Sequence, residues 1–260
     1  MSVQAPSNTV IFTDLDHTLL DARGPGPAGA AVARVRARGI AVVPATSKTA
    51  AETIALLRGW GVHGPAVVEN GAALCLPTRP GCWRVRRLTA QSYAQVRFAV
   101  RQLRREFELD MPGFGDWSLA ELMRRTDLTP PQALAARMRL ASEPLSWRGE
   151  PPPAFMSALH QAGLTGIGGG RFFTVLPHGA DKADGAHALL RHWRPSTSSR
   201  RPRVVALGDA PNDRKLLAFA DLAACLPGPR PIGDDVDCLR TSRAGPEGWL
   251  EALHQLGVIG

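Results

Sequence analysis

The sequence predicts an α/β protein in which helices cover both faces of a doubly wound parallel sheet, with a second domain inserted. Short apolar runs at 10–12 and 204–207 end abruptly in polar residues, which is typical of strands buried on both faces. Predicted helices follow these strands in both end sections of the chain. Alternation of strands and helices in this way indicates a parallel sheet.

The predicted elements fall into three sections. The first has strands at 10–14, 40–45 and 66–69, with helices near 27–38 and at 50–58. After Asn70-Gly71 the pattern changes to strands at 84–88, 142–147 and 171–176, with helices at 91–107, 118–125, 130–139 and 151–162. The first pattern resumes near His178, with a surface loop at 195–202, a strand at 203–207 and a helix at 214–220. We therefore predict a core of residues 1–75 and 178–260, and an α+β domain inserted at 76–177.

Two aspartates, Asp14 and Asp16, stand at the end of the first predicted strand. Residues two apart lie on one side of a strand, and open α/β sheets bind ligands at the carboxyl ends of their strands. Adjacent buried carboxylates require a cation, and Mg²⁺ prefers oxygen ligands. One carboxylate can attack phosphorus while the other transfers a proton. Taken alone, the pair would be explained as well by helix capping.

Two further segments carry chemistry downstream. Thr46 and Ser47 end the second strand before a helix, where they could bind phosphate or only cap that helix. Lys182 lies near a helix start, where the helix dipole disfavours a cation, so we expect an anion beside it. The chain has 31 lysine and arginine residues, yet lysine occurs only at Lys48, Lys182 and Lys215. The rarity of lysine indicates that Lys48 and Lys182 use the compact ammonium for a specific purpose. The alternative is that both are surface lysines kept by chance.

The last segment runs from Gly208 to Asp213. Asp209 would add a third carboxylate to a metal site, and Asn212 and Asp213 would supply further oxygen ligands or orient them. A tight turn followed by a helix N-cap would also explain these residues. The segments together are far more specific than any one of them.

Taken in order, the segments match a family pattern: Asp14-x-Asp16-x-Thr18, Thr46/Ser47, Lys182 and Gly208-Asp209-x-x-Asn212-Asp213. This pattern resembles the haloacid dehalogenase-like phosphohydrolase superfamily. More narrowly, the chain is similar to mannosyl-3-phosphoglycerate phosphatases. The narrower likeness depends on Thr46-Ser47-Lys48-Thr49, Val68-Glu69-Asn70-Gly71-Ala72, Gly169-Gly170-Arg171-Phe172-Phe173 and Gly245-Pro246-Glu247-Gly248-Trp249.

The resemblance implies a HAD-like Rossmannoid core, with the inserted domain acting as a cap over the site. It implies a Mg²⁺-dependent phosphatase that acts on an anionic phosphorylated small molecule, with mannosyl-3-phosphoglycerate as the substrate. The implied catalytic residues are Asp14, Asp16 and Lys182. The implied substrate and phosphate contacts are Thr46, Ser47, Lys48, Glu69, Asn70 and Arg171, with Ser142 or Arg139 as further candidates. The implied metal ligands are Asp14, Asp16, Asp209, Asn212 and Asp213.

Several of these roles have simpler explanations. The carboxylate of a glycosyl-phosphoglycerate suits a basic contact such as Lys48 or Arg171, but Arg171 could lie along a strand edge. Glu69 could pair with a neighbouring arginine. His17 stands where the family usually has glycine, in a turn that a side chain could crowd. It could face the leaving group or lie idle against the loop, and we assign it no catalytic role.

The other functions considered are a broad-specificity sugar-phosphate phosphatase, a glucosyl-3-phosphoglycerate phosphatase and a catalytically idle binding protein with a site disturbed at His17. A phosphosugar mutase is less favoured, because it would retain the phosphoryl group. The net charge of +8 could indicate nucleic-acid binding, but the arginines are scattered and no known binding module is present. We therefore expect no nucleic-acid partner.

The composition is that of a soluble globular protein, with 44% hydrophobic and 21% charged residues. No apolar run approaches the roughly 20 residues of a membrane span, and the first residues lack a signal-peptide pattern. The four cysteines form no Cys-x-x-Cys pair, so we expect reduced thiols and a cytoplasmic location. The sequence makes no prediction about the oligomeric state.

Overall fold

The computed structural model describes residues 8–21, 24–147, 149–168, 171–194 and 200–260. Gly169 and Gly170 of the sequence motif lie outside these residues, as do positions 195–199 of the predicted loop at 195–202. In chain order the elements are β1 (Thr9–Thr13), α1 (Pro25–Arg36), β2 (Ala41–Pro44), α2 (Ala50–Gly59), β3 (Ala66–Val68), β4 (Ala73–Pro77), β5 (Trp83–Arg87), α3 (Tyr93–Glu106), α4 (Leu119–Thr126), α5 (Pro130–Arg137), β6 (Glu143–Leu145), α6 (Pro153–Gln161), β7 (Leu164–Gly168), β8 (Phe173–Pro177), α7 (Lys182–His192), β9 (Arg203–Gly208), α8 (Arg214–Phe219), β10 (Leu222–Cys225), β11 (Leu239–Arg240) and α9 (Gly245–Gln255).

Five parallel strands form the central sheet, in the order β11-β10-β9-β1-β2. Successive side chains of β1 point to opposite faces, so Ile11 packs with residues of α1, α2 and α9. Val10 and Phe12 pack on the other face with residues of α7 and α8. Both faces of the sheet are therefore covered, and the predicted doubly wound parallel sheet is confirmed.

A second sheet continues the core beyond β2. It is antiparallel, in the order β3-β4-β5, and a parallel bridge from Ala45 to Val67 joins it to the end of β2. We expected the strand at 84–88 within the inserted domain, but β5 pairs along its length with β4. The hairpin that starts in the core therefore includes β5.

The inserted α+β domain is a third sheet covered by helices. Its antiparallel strands have the order β6-β8-β7, and α3 and α6 pack on them around Val96, Phe155 and Val175. Helices α4 and α5 share a smaller apolar cluster with Phe114 and Trp117. The predicted fold class is confirmed, whereas the division at 76 and 177 stays a prediction. Among the described residues, no helix combines the length and hydropathy needed to cross a membrane.

The expectation that all four cysteines are reduced is wrong. Cys225 at the end of β10 and Cys238 just before β11 form a disulfide, with their Cα atoms 6.0 Å apart. The pairing of β10 with β11 at the sheet edge brings the two residues together. Sequence spacing alone does not show this proximity. Cys75 is a free, buried thiol and Cys82 a free, exposed one.

Breaking the disulfide is expected to lower the free energy of unfolding by about 3 kcal/mol, because it closes a loop of moderate length. Urea unfolding of the wild type, with and without dithiothreitol, measures the difference. The Cys225→Ala/Cys238→Ala double variant is the control, since its unfolding should not respond to the reductant. A wild-type midpoint unchanged by reduction would contradict the prediction.

Candidate active site

Two aspartates meet where β1 and β9 end. Thr13 of β1 pairs with Leu207 of β9, and Asp14 and Asp209 follow at the same edge of the sheet. The Asp14 N–H donates to the Leu207 carbonyl at 2.9 Å, which extends the strand pairing by one residue. Carboxylate oxygens of Asp14, Asp209 and Asp213 all lie within 4.8 Å of one another, and all three residues are buried. The strand register thus assembles a cluster of three carboxylates.

Lys182, the first residue of α7, neutralises part of this charge. Its buried ammonium donates to Oδ1 of Asp14 and to Oδ1 of Asp213, both at 2.6 Å. Burial lowers the pKa of Lys182, but the two carboxylates outweigh burial and raise it, so the side chain stays charged. The anion that we expected beside Lys182 is thus a pair of carboxylates.

For two of the aspartates, Asp14 and Asp209, burial outweighs the nearby ammonium. Burial raises the pKa of Asp14 well above its usual value, with help from Asp213 and Asp209 and against the opposing effect of Lys182. Burial and Asp213 likewise raise the pKa of Asp209. Three carboxylates share one ammonium here, and this excess of buried negative charge fits a divalent cation.

Asp213 supports the cluster from within the protein. Its Oδ1 accepts from Lys182, and its Oδ2 accepts from the N–H groups of Asp209 at 3.2 Å and Ala210 at 3.1 Å. A Cβ at position 208 would lie only 2.5 Å from the Asp213 side chain, so Gly208 makes this approach possible. Asp213 therefore orients Lys182 and the turn that carries Asp209.

Oxygens suited to a metal remain on the other two aspartates. The Thr18 hydroxyl donates to Oδ1 of Asp209 at 2.9 Å and fixes that carboxylate. We assigned Thr18 no role from sequence, although a threonine two residues after Asp16 belongs to the family pattern. Within the part of the chain that the structure describes, Oδ2 of Asp14 and Oδ2 of Asp209 accept no hydrogen bond. These are oxygens of the type that Mg²⁺ prefers.

Asp16 and Lys48 form an ion pair beside the cluster. Lys48 Nζ lies 2.9 Å from Asp16 Oδ1, and the two side chains are 19% and 47% exposed. Burial lowers the pKa of Lys48, but Asp16 and Glu52 outweigh burial and raise it. Thr46 is fully buried and its Oγ1 accepts from the Lys48 N–H at 3.2 Å, whereas Ser47 is half-buried. Of the two predicted hydroxyls, Ser47 is therefore the one open to solvent.

Glu69 does not fit the substrate contact that we expected. Its side chain is completely buried, and its Oε1 accepts from the N–H of Leu140 at 2.7 Å. Its Oε2 accepts from the N–H groups of Ala141 and Ser142 at 3.1 and 3.0 Å and from the Ser142 hydroxyl at 2.7 Å. Glu69 thus fastens a cap loop to the core, and Ser142 serves the same connection.

Arg139 strengthens this connection from the cap side. Its Nη2 donates to the carbonyl of Ser47 at 2.9 Å, and its Nε donates to the carbonyl of Ser142 at 2.8 Å. The Thr49 hydroxyl donates to the carbonyl of Ala135 at 2.9 Å, next to the same loop. The cap is therefore bonded directly to the segment that carries Ser47 and Lys48.

Asn70 and Asn212 link two of the sequence motifs. Asn212 donates through Nδ2 to Oδ1 of Asn70 at 3.1 Å, and the Asn70 N–H donates to the carbonyl of Thr46 at 2.9 Å. Asn70 is only 2% exposed, so direct contact with substrate does not fit its position. The next residue, Gly71, has a φ of 91°, and a Cβ there would lie 1.8 Å from the Asp181 carbonyl oxygen. The motif thus packs the β3–β4 turn against the start of α7.

Arg171 lies at the end of helix α4 in the cap. Its guanidinium donates to the carbonyls of Arg125 at 2.7 Å and Thr126 at 3.4 Å, and it lies 3.6 Å from the Asp127 carboxylate. These contacts satisfy terminal carbonyls of the helix. The structure does not bring Arg171 to the carboxylate cluster through any contact among the described residues.

No protein-family model matches the chain. Its fold matches solved structures over nearly their whole lengths. A Thermoplasma acidophilum protein matches with a TM-score of 0.71 at 15% identity, over 96% of this chain and 99% of that one. A Bacteroides thetaiotaomicron phosphatase of the haloalkanoate (HAD) superfamily matches with a TM-score of 0.69 at 20% identity, over 100% of this chain and 98% of that one. A sugar phosphatase of HAD subclass IIB matches with a TM-score of 0.67 at 17% identity, over 96% of this chain and 100% of that one. The chain has the HAD-like Rossmannoid fold with a cap domain.

His17 adopts a backbone conformation that favours glycine, with a φ of 64°. We expect His17→Gly to raise the free energy of unfolding by about 1 kcal/mol, because it relieves this strain. His17→Ala is the matched control, since it removes the imidazole but keeps a Cβ, and it should bring no gain. Urea unfolding in EDTA measures both variants. Equal stability of the glycine and alanine variants would contradict the strain.

Glu69→Gln is expected to destabilise the protein by about 2 kcal/mol, because hydrogen bonds to a charged acceptor are lost and an amide donor faces backbone N–H groups. Hydrogen exchange of the Leu140, Ala141 and Ser142 amides should accelerate along with it. Glu106→Gln, at an exposed position of the cap, is the control. Unchanged exchange at the three amides would show that the Glu69 carboxylate does not fasten the loop.

Proposed function

We propose that the protein is a Mg²⁺-dependent phosphomonoester hydrolase of the haloacid dehalogenase type. The observation that carries this proposal is the buried Asp14–Lys182–Asp213 triad beside Asp209, with Asp16 and Lys48 next to it. HAD phosphatases are among the proteins that share its fold. The arrangement combines a nucleophile, a proton carrier and fixed cations within one site.

Asp14 is the proposed nucleophile. Lys182 fixes the Asp14 carboxylate through Oδ1 at 2.6 Å, and an oxygen of that carboxylate attacks phosphorus in line with the leaving alcohol. The bond from Asp14 to phosphorus forms as the bond from phosphorus to the alcohol oxygen breaks, and an aspartyl-phosphate results. The fixed ammonium of Lys182 stabilises the negative charge of the transferring group without reorganisation.

Asp16 is the proposed acid and base. It gives a proton to the leaving oxygen and later accepts one from the water that hydrolyses the aspartyl-phosphate. In the free protein Asp16 forms an ion pair with Lys48. Phosphate bound by Lys48 and Ser47 would draw the ammonium away from Asp16 and leave that carboxyl group available to the leaving oxygen.

A divalent cation would be held by Asp14, Asp209 and the backbone carbonyl of Asp16. Asn212 and Asp213 would orient this set, since both hydrogen-bond to neighbouring motif residues. When bound, Mg²⁺ would neutralise charge on the transferring phosphoryl group.

The proposed substrate is a glycosyl-phosphoglycerate, mannosyl-3-phosphoglycerate in the first instance. Its support is the resemblance of the sequence segments. One of these segments carries Lys48, whose ammonium pairs with Asp16. The expected location is cytoplasmic.

The test is phosphate release with Mg²⁺ from mannosyl-3-phosphoglycerate, glucosyl-3-phosphoglycerate and common sugar phosphates. Asp14→Asn should lower kcat by at least about 1,000-fold, because the amide cannot act as the nucleophile. Asp110→Asn, an exposed position of the cap, should have no effect.

The outcomes separate the two levels of the proposal. A preference in kcat/KM for a glycosyl-phosphoglycerate would support the narrow substrate. Uniform activity that depends on Asp14 would retain the phosphatase and indicate broad specificity. Absence of any release that depends on Asp14 would point to an idle site.

A further inference from the structure

The loop between β10 and β11 lies against the carboxylate cluster. A Cβ at position 228 would lie 2.2 Å from Oδ2 of Asp209, so the backbone of Gly228 closely approaches that carboxylate. The Leu226 N–H donates to the carbonyl of Gly208 at 2.9 Å, which fixes the start of the loop beside β9. The loop therefore forms part of the wall of the site.

The loop is held at several points. The Cys225–Cys238 disulfide closes its two ends, and Ile232 is 4% exposed within the core. Arg240 donates to the carbonyls of Ile232 at 3.2 Å and Gly233 at 2.9 Å. The backbone around Arg230 is thus well anchored, two residues beyond the contact with Asp209.

Arg230 reaches from this loop to the cap. Its Nη1 lies 3.2 Å from the position that a Cβ of Gly168 would occupy, at the end of β7. β7 also packs next to the turn formed by Pro211–Asp213, which carries Asn212. The guanidinium is therefore located at the junction of cap and core, on the loop whose Gly228 approaches Asp209.

The guanidinium of Arg230 differs from the other cations considered for substrate. Lys48 pairs with Asp16, Arg139 donates to three backbone carbonyls, and Arg171 caps α4. Arg230 is exposed, and its side chain has no hydrogen bond or ion pair among the described residues. Its planar donors remain available to an anion at the junction of the two domains.

We propose that Arg230 determines specificity by binding a carboxylate on the leaving group of the phosphoester. The inference rests on the proposed phosphatase function. The phosphoryl group is assigned to Lys182 and Lys48, whereas Arg230 approaches from the cap junction, where the rest of the substrate would extend. An arginine binds a carboxylate through two parallel N–H donors, which discriminates strongly against a neutral group at that position.

The test compares two substrates that differ in one group. In 3-phosphoglycerate a carboxylate stands where glycerol 3-phosphate has a hydroxymethyl group. Arg230→Gln should lower kcat/KM for 3-phosphoglycerate roughly 10- to 100-fold, the loss expected for hydrogen bonds to a charged group. The value for glycerol 3-phosphate should change by less than about twofold, since no charged partner is lost. Arg79→Gln, an exposed arginine on the β4–β5 turn, is the matched control for net charge.

Binding measurements separate this proposal from the phosphatase proposal. Calorimetry with Mg²⁺ on the Asp14→Asn protein, with Arg230 intact or replaced by Gln, gives affinities for both compounds without turnover. Loss of affinity confined to 3-phosphoglycerate supports the role of Arg230 even if neither compound is hydrolysed. Equal losses for both compounds, no loss for either, or no binding of either would overturn it.

Discussion

The ammonium of Lys182 is the contact on which the site depends. It joins Asp14 after β1 to Asp213 in the turn after β9, and it does so from the first residue of α7. A charge buried this deeply is tolerated only when its partners are placed within hydrogen-bond distance. The requirement constrains three separate chain segments at once. The strand register, the glycine at 208 and the packing of α7 on the sheet all serve that placement.

The cap is a second constraint, and it acts at the opposite side of the site. Glu69 bonds the cap loop to the core, and Arg139 bonds it to the segment that carries Ser47 and Lys48. The phosphate end of the proposed pocket is therefore built jointly by both domains. A change in the cap can therefore alter binding of the phosphoryl group without touching the carboxylate cluster, because the cap is hydrogen-bonded to the main chain of the segment that carries Ser47 and Lys48.

Much of the fold and of the carboxylate cluster could be predicted from sequence, because buried parallel strands leave a strong pattern and polar residues at their ends meet at one edge. Three of the missed strands have weak patterns. β7 contains two glycines, β10 reads Leu-Ala-Ala-Cys, and β11 has only two residues. Short or alanine-rich strands lack the apolar alternation on which the prediction depends. The disulfide was missed because β10 and β11 were missed.

The roles of charged residues outside the cluster could not be predicted, because burial and partners decide them. Glu69 and Arg230 both carry charge near a motif. The Glu69 carboxylate accepts hydrogen bonds from a cap loop, whereas the exposed guanidinium of Arg230 stays available. A substrate that adds a carboxylate to a phosphate needs more cationic contact than Lys182 can provide, since two aspartates already share that ammonium. Lys48 is paired with Asp16 beside the proposed nucleophile, whereas Arg230 stands across the cap junction. The two cations are thus suited to different parts of one anionic ligand, and their separation would set which phosphoesters fit.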